Sequence, residues 1–261
     1  MKSSAILLGL LGLFSISIII GDLIQLKLIH RLEKSYDITD NEIDRNTTIL
    51  RLGFIRTEVI SWSPRITIYH DFLSTEECDH LVTLGKPRLR ASILTDPKTF
   101  KHVRSNHRTS WGMFLNATER NHSIIQAIET RISIFSQIPK ENGESFQVLR
   151  YQKGEFYGKH IDYFPSKRYG NQRVATMLIY LNDVAEGGET YFLEAGDGEC
   201  TCGGKILKGI SVKPKKGNAV LFWNMRLDGE VDQKTIHTGC RVLDGVKWSA
   251  TKWMTVDKLV K

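Results

Sequence analysis

Two histidines, one aspartate and one lysine are the residues of this chain whose types and spacing could do chemistry. His160 and Asp162 are separated by one residue, and in a β-strand the side chains at positions i and i+2 point to the same face. One imidazole and one carboxylate are therefore expected to converge. His237 lies in a segment predicted to form a late strand and is the best candidate for a third ligand. Two histidines and one carboxylate form the facial triad of non-haem Fe(II) oxygenases, which leaves coordination positions open.

The His-x-Asp spacing alone is weak, because a surface histidine beside a solvated aspartate has the same pattern. Lys247, which follows His237 in the chain, adds a second indication. If both lie in adjacent antiparallel strands, Lys247 enters the same barrel mouth, where a buried ammonium is costly unless it meets an anion. A dicarboxylate co-substrate bound to iron would supply that anion. The alternative is a solvent-facing lysine beside Trp248.

The composition is that of a globular catalytic domain with a short appendage. The chain has 261 residues, of which 41% are hydrophobic and 25% are charged, and its formal net charge is +7. These values exclude a collagen, a disordered tail and a multi-span transporter. Lys and Arg are scattered among Asp and Glu, so no nucleic-acid groove is expected.

The four cysteines are too few for a disulfide scaffold. Cys200 and Cys202 are nearly adjacent, so a bridge between them would be strained. A bridge to Cys78 or Cys240 is open in an oxidising compartment. We expect one disulfide at most and leave its partners open.

The N-terminus predicts a membrane anchor. Ser3 to Gly21 is an uncharged run rich in Leu and Ile, which nearly crosses a hydrocarbon layer of about 30 Å. No Ala-x-Ala cleavage site follows it, which favours an uncleaved transmembrane helix over a signal peptide. We therefore divide the chain into an anchor (1–25), a polar stem (26–60) and a catalytic domain (61–257).

The orientation of this anchor has opposing indications. Basic residues follow the apolar run, and by the positive-inside rule they favour a cytosolic domain. Three N-x-S/T glycosylation acceptors, at Asn46, Asn116 and Asn121, favour a lumenal one. The residues alone leave the topology open.

Along the chain, two predicted helices precede a series of predicted strands. Ser74 and Glu77 have the spacing of a capping box after a strand that ends at Phe72 and Leu73, and they predict a helix through Leu84. Apolar residues at spacings of three and four predict a second helix over 124–135. Beyond it, apolar segments separated by Gly, Pro, Asn and Asp predict strands over 146–151, 174–181, 209–212, 219–223, 235–240 and 247–256.

This order of elements predicts an α+β fold that is mainly β. Many short strands after two helices are typical of a double-sheet sandwich with helical packing on one side. We favour a jelly roll core with flanking helices, plus one N-terminal transmembrane helix.

The stretch from Trp62 to Thr255 closely resembles the prolyl 4-hydroxylases, especially the short membrane-anchored plant enzymes. The resemblance is carried by segments in the family's order: WSPRITIYHDFLSTEEC, RTSWGMFL, ENGESFQVLRYQKGEFYGKHIDYF, QRVATMLIYLNDVAEGGETYF, GDGECTCGGKILKGISVKPKKGNAVLFWNM and IHTGCRVLDGVKWSATKWM. It implies a double-stranded β-helix, and a single-pass type II protein of the endoplasmic reticulum or Golgi membrane with a lumenal catalytic domain. We adopt that orientation in spite of the charge asymmetry.

The same resemblance implies a set of site residues. The implied Fe(II) ligands are His160, Asp162 and His237. Lys247 would pair with the distal carboxylate of the co-substrate 2-oxoglutarate, with Tyr151 and Thr190 as neighbours. Tyr157 and Arg173 match positions that line a peptide groove, and Trp253 matches a residue near the metal.

The implied activity is peptidyl-proline 4-hydroxylation in proline-rich secretory or cell-wall proteins of the extensin or arabinogalactan type. O2 and 2-oxoglutarate would be consumed to give 4-hydroxyproline, succinate and CO2, with L-ascorbate rescuing oxidised iron. Assembly with itself or with related hydroxylases is left open. The rival interpretations are an oxygenase of the same fold that acts on another side chain, such as lysine, and a non-catalytic jelly-roll binding module.

Overall fold

The computed structural model describes residues 50–95, 102–164 and 171–259. The predicted transmembrane helix, most of the predicted stem and the acceptor at Asn46 lie outside these residues. None of the helices within the three described stretches is long and apolar enough to cross a membrane.

The described part of the chain contains three α-helices, three 3₁₀ helices and eighteen strands. The α-helices are α1 (Thr75–Gly85), α2 (Ala117–Arg120) and α3 (Ser123–Ser136), and the 3₁₀ helices are Lys86–Arg88, Lys140–Asn142 and Gln233–Thr235. The strands are β1 (Arg56–Trp62), β2 (Arg65–His70), β3 (Arg90–Ala91), β4 (Leu94–Thr95), β5 (His102–Val103), β6 (Trp111–Phe114), β7 (Gln147–Tyr151), β8 (Tyr157–His160), β9 (Arg173–Tyr180), β10 (Glu186–Gly187), β11 (Thr190–Phe192), β12 (Glu199–Cys202), β13 (Lys205–Lys208), β14 (Ile210–Val212), β15 (Ala219–Trp223), β16 (His237–Gly239), β17 (Val242–Asp244) and β18 (Lys247–Thr255).

Two sheets of the described region face each other. The major sheet has the strand order β1-β2-β15-β9-β18-β7-β6-β3, and the minor sheet has the order β14-β11-β16-β8. Side chains from both sheets meet in one apolar cluster that includes Ile66, Tyr180, Phe192, Val220 and Phe222. The prediction of a mainly β jelly-roll core is thereby confirmed.

The helices cover the other face of the major sheet. α3 buries Ile125, Ile128 and Ile132 in the larger apolar cluster, where α1 contributes Leu81. Strands β9 and β18 lie at the centre of the sheet and are buried along nearly their whole length, because both of their faces are covered. These two central, buried strands therefore form the part of the major sheet that supports the site.

Both predicted helices are confirmed within one residue at each end. The Ser74 hydroxyl accepts from the Glu77 N–H and the Glu77 carboxylate accepts from the Ser74 N–H, which is the predicted capping box. Arg131 of α3 is fully buried and donates to the Glu77 carboxylate at 2.9 Å. This ion pair fixes α3 against the start of α1.

Three local features are among the differences between the structure and the sequence predictions. β2 ends at His70, before the predicted strand end at Phe72 and Leu73. The predicted strand 235–240 is shorter, because a 3₁₀ turn capped by Asp232 takes its first residue. The major sheet also begins at β1, before the predicted domain start at residue 61; β1 was missed because it is an edge strand with mostly exposed side chains.

One disulfide joins Cys202, at the end of β12, to Cys240, which follows β16. Cys78 and Cys200 are free thiols. The single bridge agrees with the expected maximum of one. It ties the β12–β13 hairpin to the minor sheet.

Candidate active site

His160 and His237 are brought together by strand pairing. They are register partners where β8 and β16 run antiparallel, and their ring centroids are 4.1 Å apart. Asp162 does not lie in a strand, contrary to the predicted alternation, because β8 ends at His160. The chain turns there and still directs the carboxylate to the two imidazoles.

The three side chains offer one ligand atom each at a common point, with all three atoms within 4.8 Å of one another. His160 Nε2 is 3.7 Å from Asp162 Oδ1, and His237 Nε2 is 4.0 Å from Asp162 Oδ2. The sequence prediction that these residues converge therefore agrees with the structure.

The hydrogen bonds of the two histidines fix their tautomers. His160 Nδ1 is 2.8 Å from the Gly158 carbonyl oxygen, and His237 Nδ1 is 2.9 Å from the Thr235 carbonyl oxygen. A carbonyl can only accept, so both Nδ1 atoms carry the proton and both Nε2 lone pairs face the common point. Metal-binding histidines characteristically have this arrangement.

The Asp162 carboxylate is oriented by two residues that the sequence reasoning missed. The Thr176 hydroxyl, on β9, donates to Asp162 Oδ2 at 2.9 Å, and the Asn224 side-chain amide donates to the Thr176 oxygen at 3.0 Å. The available signal was weak: a polar threonine inside an otherwise apolar predicted strand. The relay holds Oδ2 and leaves Oδ1 directed at His160.

The electrostatics of the site suit a cation. Burial raises the pKa of Asp162, but the opposing effects of His237, His160 and Arg173 and the Thr176 hydrogen bond are larger together, and the pKa is lowered. Burial and the neighbouring His237 hold the pKa of His160 well below its usual range. The carboxylate is therefore ionised and His160 is neutral, as ligands must be.

This donor set fits a catalytic divalent metal. The described residues supply two imidazoles and one carboxylate at the common point, whereas a structural zinc site closes its coordination with four protein ligands. The ligands open into a cavity of about 710 Å³. Substrate and oxygen would have access to the remaining positions on that side.

Lys247 faces the ligands from the opposite sheet. His237 and Lys247 do not lie in adjacent strands, the arrangement considered from the sequence, because β16 belongs to the minor sheet and β18 to the major sheet. The Lys247 side chain is nevertheless buried in the same cavity, where its ammonium donates to the Gly188 carbonyl at 2.6 Å. Burial lowers its pKa to about 7, against the opposing effect of Glu189.

The predicted neighbours of Lys247 are both present. The Tyr151 ring is centred 5.5 Å from the ammonium, and Tyr151 is the register partner of Lys247 between β7 and β18. Thr190 lines the same part of the cavity, and its hydroxyl accepts from the Tyr180 hydroxyl at 2.8 Å. The part of the cavity around Lys247 thus combines one cation with hydroxyl groups.

Tyr157 contacts a predicted ligand directly. Its ring stacks on the His160 imidazole with centroids 3.5 Å apart. The Arg108 guanidinium also contacts this ring, at 4.5 Å from the centre of the Tyr157 ring. Arg108 was missed from the sequence, although it is buried and lines the cavity.

Arg173 and Trp253 form one unit at the cavity wall. The Arg173 guanidinium lies 4.0 Å from the centre of the Trp253 ring and 4.7 Å from that of Phe164. It is held there by two hydrogen bonds to the Glu144 carboxylate, at 2.5 and 2.7 Å. The wall therefore presents a stacked aromatic and cationic surface to the cavity.

Every active-site residue proposed from the sequence lines this one cavity. The glycosylation acceptors lie elsewhere: Asn116 caps the start of α2, Asn121 follows its end, and both are exposed. Both are separate from the site.

Comparison with known proteins agrees with this geometry. Residues 146–255 match the family model of the 2OG-Fe(II) oxygenase superfamily. The chain is 54% identical to prolyl 4-hydroxylase 1 of Arabidopsis thaliana, over 95% of this chain and 96% of that protein. It is 48% identical to prolyl 4-hydroxylase 5 of the same plant, over 76% of this chain and 71% of that protein.

A solved structure has the same fold. The viral collagen prolyl hydroxylase of Paramecium bursaria Chlorella virus-1, in its 2OG complex, superposes with a TM-score of 0.56 and 28% identity. The match covers 74% of this chain and 96% of that chain. With the extent of these matches, the chain belongs to the prolyl 4-hydroxylase family of 2OG-Fe(II) oxygenases.

Proposed function

We propose that the protein hydroxylates carbon 4 of peptidyl proline, with Fe(II) as cofactor and with 2-oxoglutarate and O2 as co-substrates. The observation that carries the proposal is the convergence of His160, Asp162 and His237 on one point in a cavity that also holds the buried Lys247. A non-catalytic binding module would not require this set.

The three ligands would hold the iron through His160 Nε2, His237 Nε2 and Asp162 Oδ1. When bound with 2-oxoglutarate and O2, the iron supplies an oxidant that places one oxygen atom in a C–H bond, while the other oxygen enters succinate and CO2 is released. The chain's own part is to hold the ligands in one orientation, which the carbonyls of Gly158 and Thr235 and the Thr176 hydroxyl do.

Lys247 would bind the carboxylate of 2-oxoglutarate that is remote from the metal. Its ammonium is buried between the Tyr151 and Tyr180 rings, at 5.5 and 5.4 Å from their centres. A buried cation of this kind gains most from an anionic partner, because the surroundings screen it little. The Thr190 hydroxyl, which lines the same end of the cavity, would complete the contact.

The peptide would lie along the wall formed by Tyr157, Arg173 and Trp253. A proline-rich segment is already extended as polyproline II, and such segments dock in aromatic grooves at low ordering cost. We therefore propose proline-rich secretory or cell-wall proteins of the extensin and arabinogalactan type as substrates. L-ascorbate would reduce iron that has been oxidised in uncoupled turnovers.

The chain is further proposed to be a type II glycoprotein of the endoplasmic reticulum or Golgi membrane. The apolar run from Ser3 to Gly21 and the exposed acceptors at Asn116 and Asn121 support this. A mass shift on glycosidase treatment tests it, and an unshifted protein whose domain is digested by protease from the cytosolic side would reverse the orientation.

Mass spectrometry of reacted peptides tests the activity. Poly-proline and extensin-like peptides, incubated with Fe(II), 2-oxoglutarate and ascorbate, are expected to gain one oxygen on proline, with one succinate per event. Modification of lysine in a matched lysine-bearing peptide would instead support the oxygenase with another side-chain specificity.

His160→Ala is expected to abolish turnover while the domain remains folded. The imidazole lines the cavity and is not part of the apolar core clusters, so its removal leaves the core packing intact. Circular dichroism and the unfolding midpoint check the fold. Undiminished succinate release from this variant would refute the metal assignment.

A further inference from the structure

The carboxylate of Glu189 is buried next to the proposed 2-oxoglutarate subsite and has no role in the function proposed above. Glu189 is only 4% exposed, and a glutamate is almost never that buried unless it is paired. It lies between Gly188, whose carbonyl accepts from the Lys247 ammonium, and Thr190 of the same subsite.

Glu189 is fastened to both ends of the disulfide. Its backbone carbonyl accepts from the Cys240 N–H at 2.8 Å. Its carboxylate accepts from the Gly203 N–H at 3.0 Å and from the Thr201 hydroxyl at 3.3 Å, on either side of Cys202. The β12–β13 hairpin therefore holds the carboxylate in one place, and the Cys202–Cys240 bridge holds the hairpin.

Lys247 needs a negative charge nearby. Within the described part of the chain its ammonium forms no direct ion pair; its hydrogen-bond partner is the neutral Gly188 carbonyl. The phenols of Tyr151 on β7 and Tyr180 on β9 face it, and the buried Glu189 carboxylate belongs to the residue next to its Gly188 acceptor. At neutral pH the two phenols are uncharged, because burial raises the pKa of both.

We propose that Glu189 is a positioning residue for 2-oxoglutarate: clamped by the disulfide-tied hairpin, its carboxylate keeps the Lys247 ammonium charged for the diacid that enters the cavity. The inference rests on the proposed role of Lys247. The β12–β13 hairpin, which lies outside the cavity, would thereby affect the affinity for 2-oxoglutarate. In the alternative, purely structural role, Glu189 only holds the hairpin by hydrogen bonds, and the negative charge of its carboxylate would not matter.

Glu189→Gln separates the two roles. The glutamine oxygen can accept from the Gly203 N–H, and its NH2 can donate to the Thr201 oxygen once that hydroxyl rotates. The hairpin contacts survive and the charge is lost. Glu199→Gln is the matched control, because it makes the same change at an exposed position of the same hairpin.

The measurement is the dissociation constant of 2-oxoglutarate by calorimetry, from pH 6 to 8.5, with the full chain loaded with Mn(II) in the absence of O2. In the wild type, affinity is expected to fall as pH rises through about 7, because burial lowers the pKa of Lys247 to about 7. Without the Glu189 charge this fall should begin about one pH unit lower. Binding by E189Q should then be weaker than wild type by about twofold at pH 6 and about tenfold at pH 8.

A second neutral variant, Glu189→Ala, keeps the test open if E189Q fails to fold, as judged by its unfolding midpoint. Both are expected to show the shifted pH profile, and E199Q is expected to follow the wild type. A shift in E189A while a folded E189Q keeps the wild-type profile would assign the effect to hairpin hydrogen bonds and overturn the proposal, as would a wild-type profile in every variant that folds. Absence of 2-oxoglutarate binding by the wild type at every pH would instead sink the proposed function.

Discussion

Replacing Thr176 by valine removes two hydrogen bonds and keeps the shape of the side chain. The hydroxyl donates to Asp162 Oδ2 at 2.9 Å, and the Asn224 amide donates to the hydroxyl oxygen at 3.0 Å. A hydrogen bond to a charged group contributes about 1.5–3 kcal/mol. Asn224 is fully buried, so its amide would lose its partner there at a further cost of about 1–3 kcal/mol.

Two measurable effects follow from this loss. The Asp162 carboxylate becomes free to rotate away from the two imidazoles, and the loss of such a supporting contact typically lowers metal affinity by about 10- to 100-fold. The free energy of unfolding without metal should fall by about 2.5–6 kcal/mol, the sum of the two hydrogen-bond terms. Metal titration and urea unfolding report the two effects separately.

Thr130→Val is the matched control, because the Thr130 hydroxyl donates to the Gln126 carbonyl on α3, away from the cavity. The control should bind metal as the wild type does. If T176V loses stability but binds metal with wild-type affinity, the hydroxyl serves only the packing of β9 and the reasoning about Asp162 fails.

Two further predictions concern the hairpin and the cavity wall. Cys202→Ser should lower the free energy of unfolding by about 4 kcal/mol, since the bridge closes a separation of 38 residues; urea unfolding that is the same for C202S and for Cys200→Ser, at the free thiol, would contradict this. Arg173→Lys loses the two-point contact with Glu144 and the stack on Trp253, so KM for the peptide should rise about tenfold with KM for 2-oxoglutarate unchanged. Arg226→Lys, at an exposed ion pair with Asp228, is its control, and a rise in both KM values would place Arg173 in the co-substrate subsite instead.

The sequence identifies the ligand types better than it places them. The i, i+2 rule joins His160 to Asp162, yet Asp162 lies beyond the end of β8. The position of His237 depends on the pairing of β16 with β8, which is a contact between distant segments. No local periodicity contains that information, so from the residues alone His237 could only be a candidate.

The separation of Lys247 from His237 between the two sheets has a topological cause. Between His237 and Lys247 the chain forms β17, which pairs with β10 and belongs to neither large sheet. The chain therefore crosses from one sheet to the other, where a simple hairpin would have kept both residues side by side. A short connection rich in turn residues does not distinguish these two paths.

The supporting residues were missed for a different reason. Thr176 and Asn224 are short polar side chains at buried positions, and their function depends on which acceptor lies across the sheet. Glu189 follows two glycines, and that pattern indicates a solvated turn. Its burial results from the hairpin that folds over it. In each case the partner is distant in sequence.

The division of the site between two sheets determines what it can select. His160 and His237 belong to the minor sheet, whereas Lys247 stands on the major sheet. The distance between metal ligands and ammonium is therefore set by the packing of the core between the sheets, where Phe222 and Phe192 contact the His237 ring at 4.8 and 5.6 Å between centroids. Such cores are close-packed and resist changes in spacing. Under the proposed function, the core would therefore fix the length of the diacid that can reach both the iron and Lys247, while the wall of Tyr157, Arg173 and Trp253 would select the peptide.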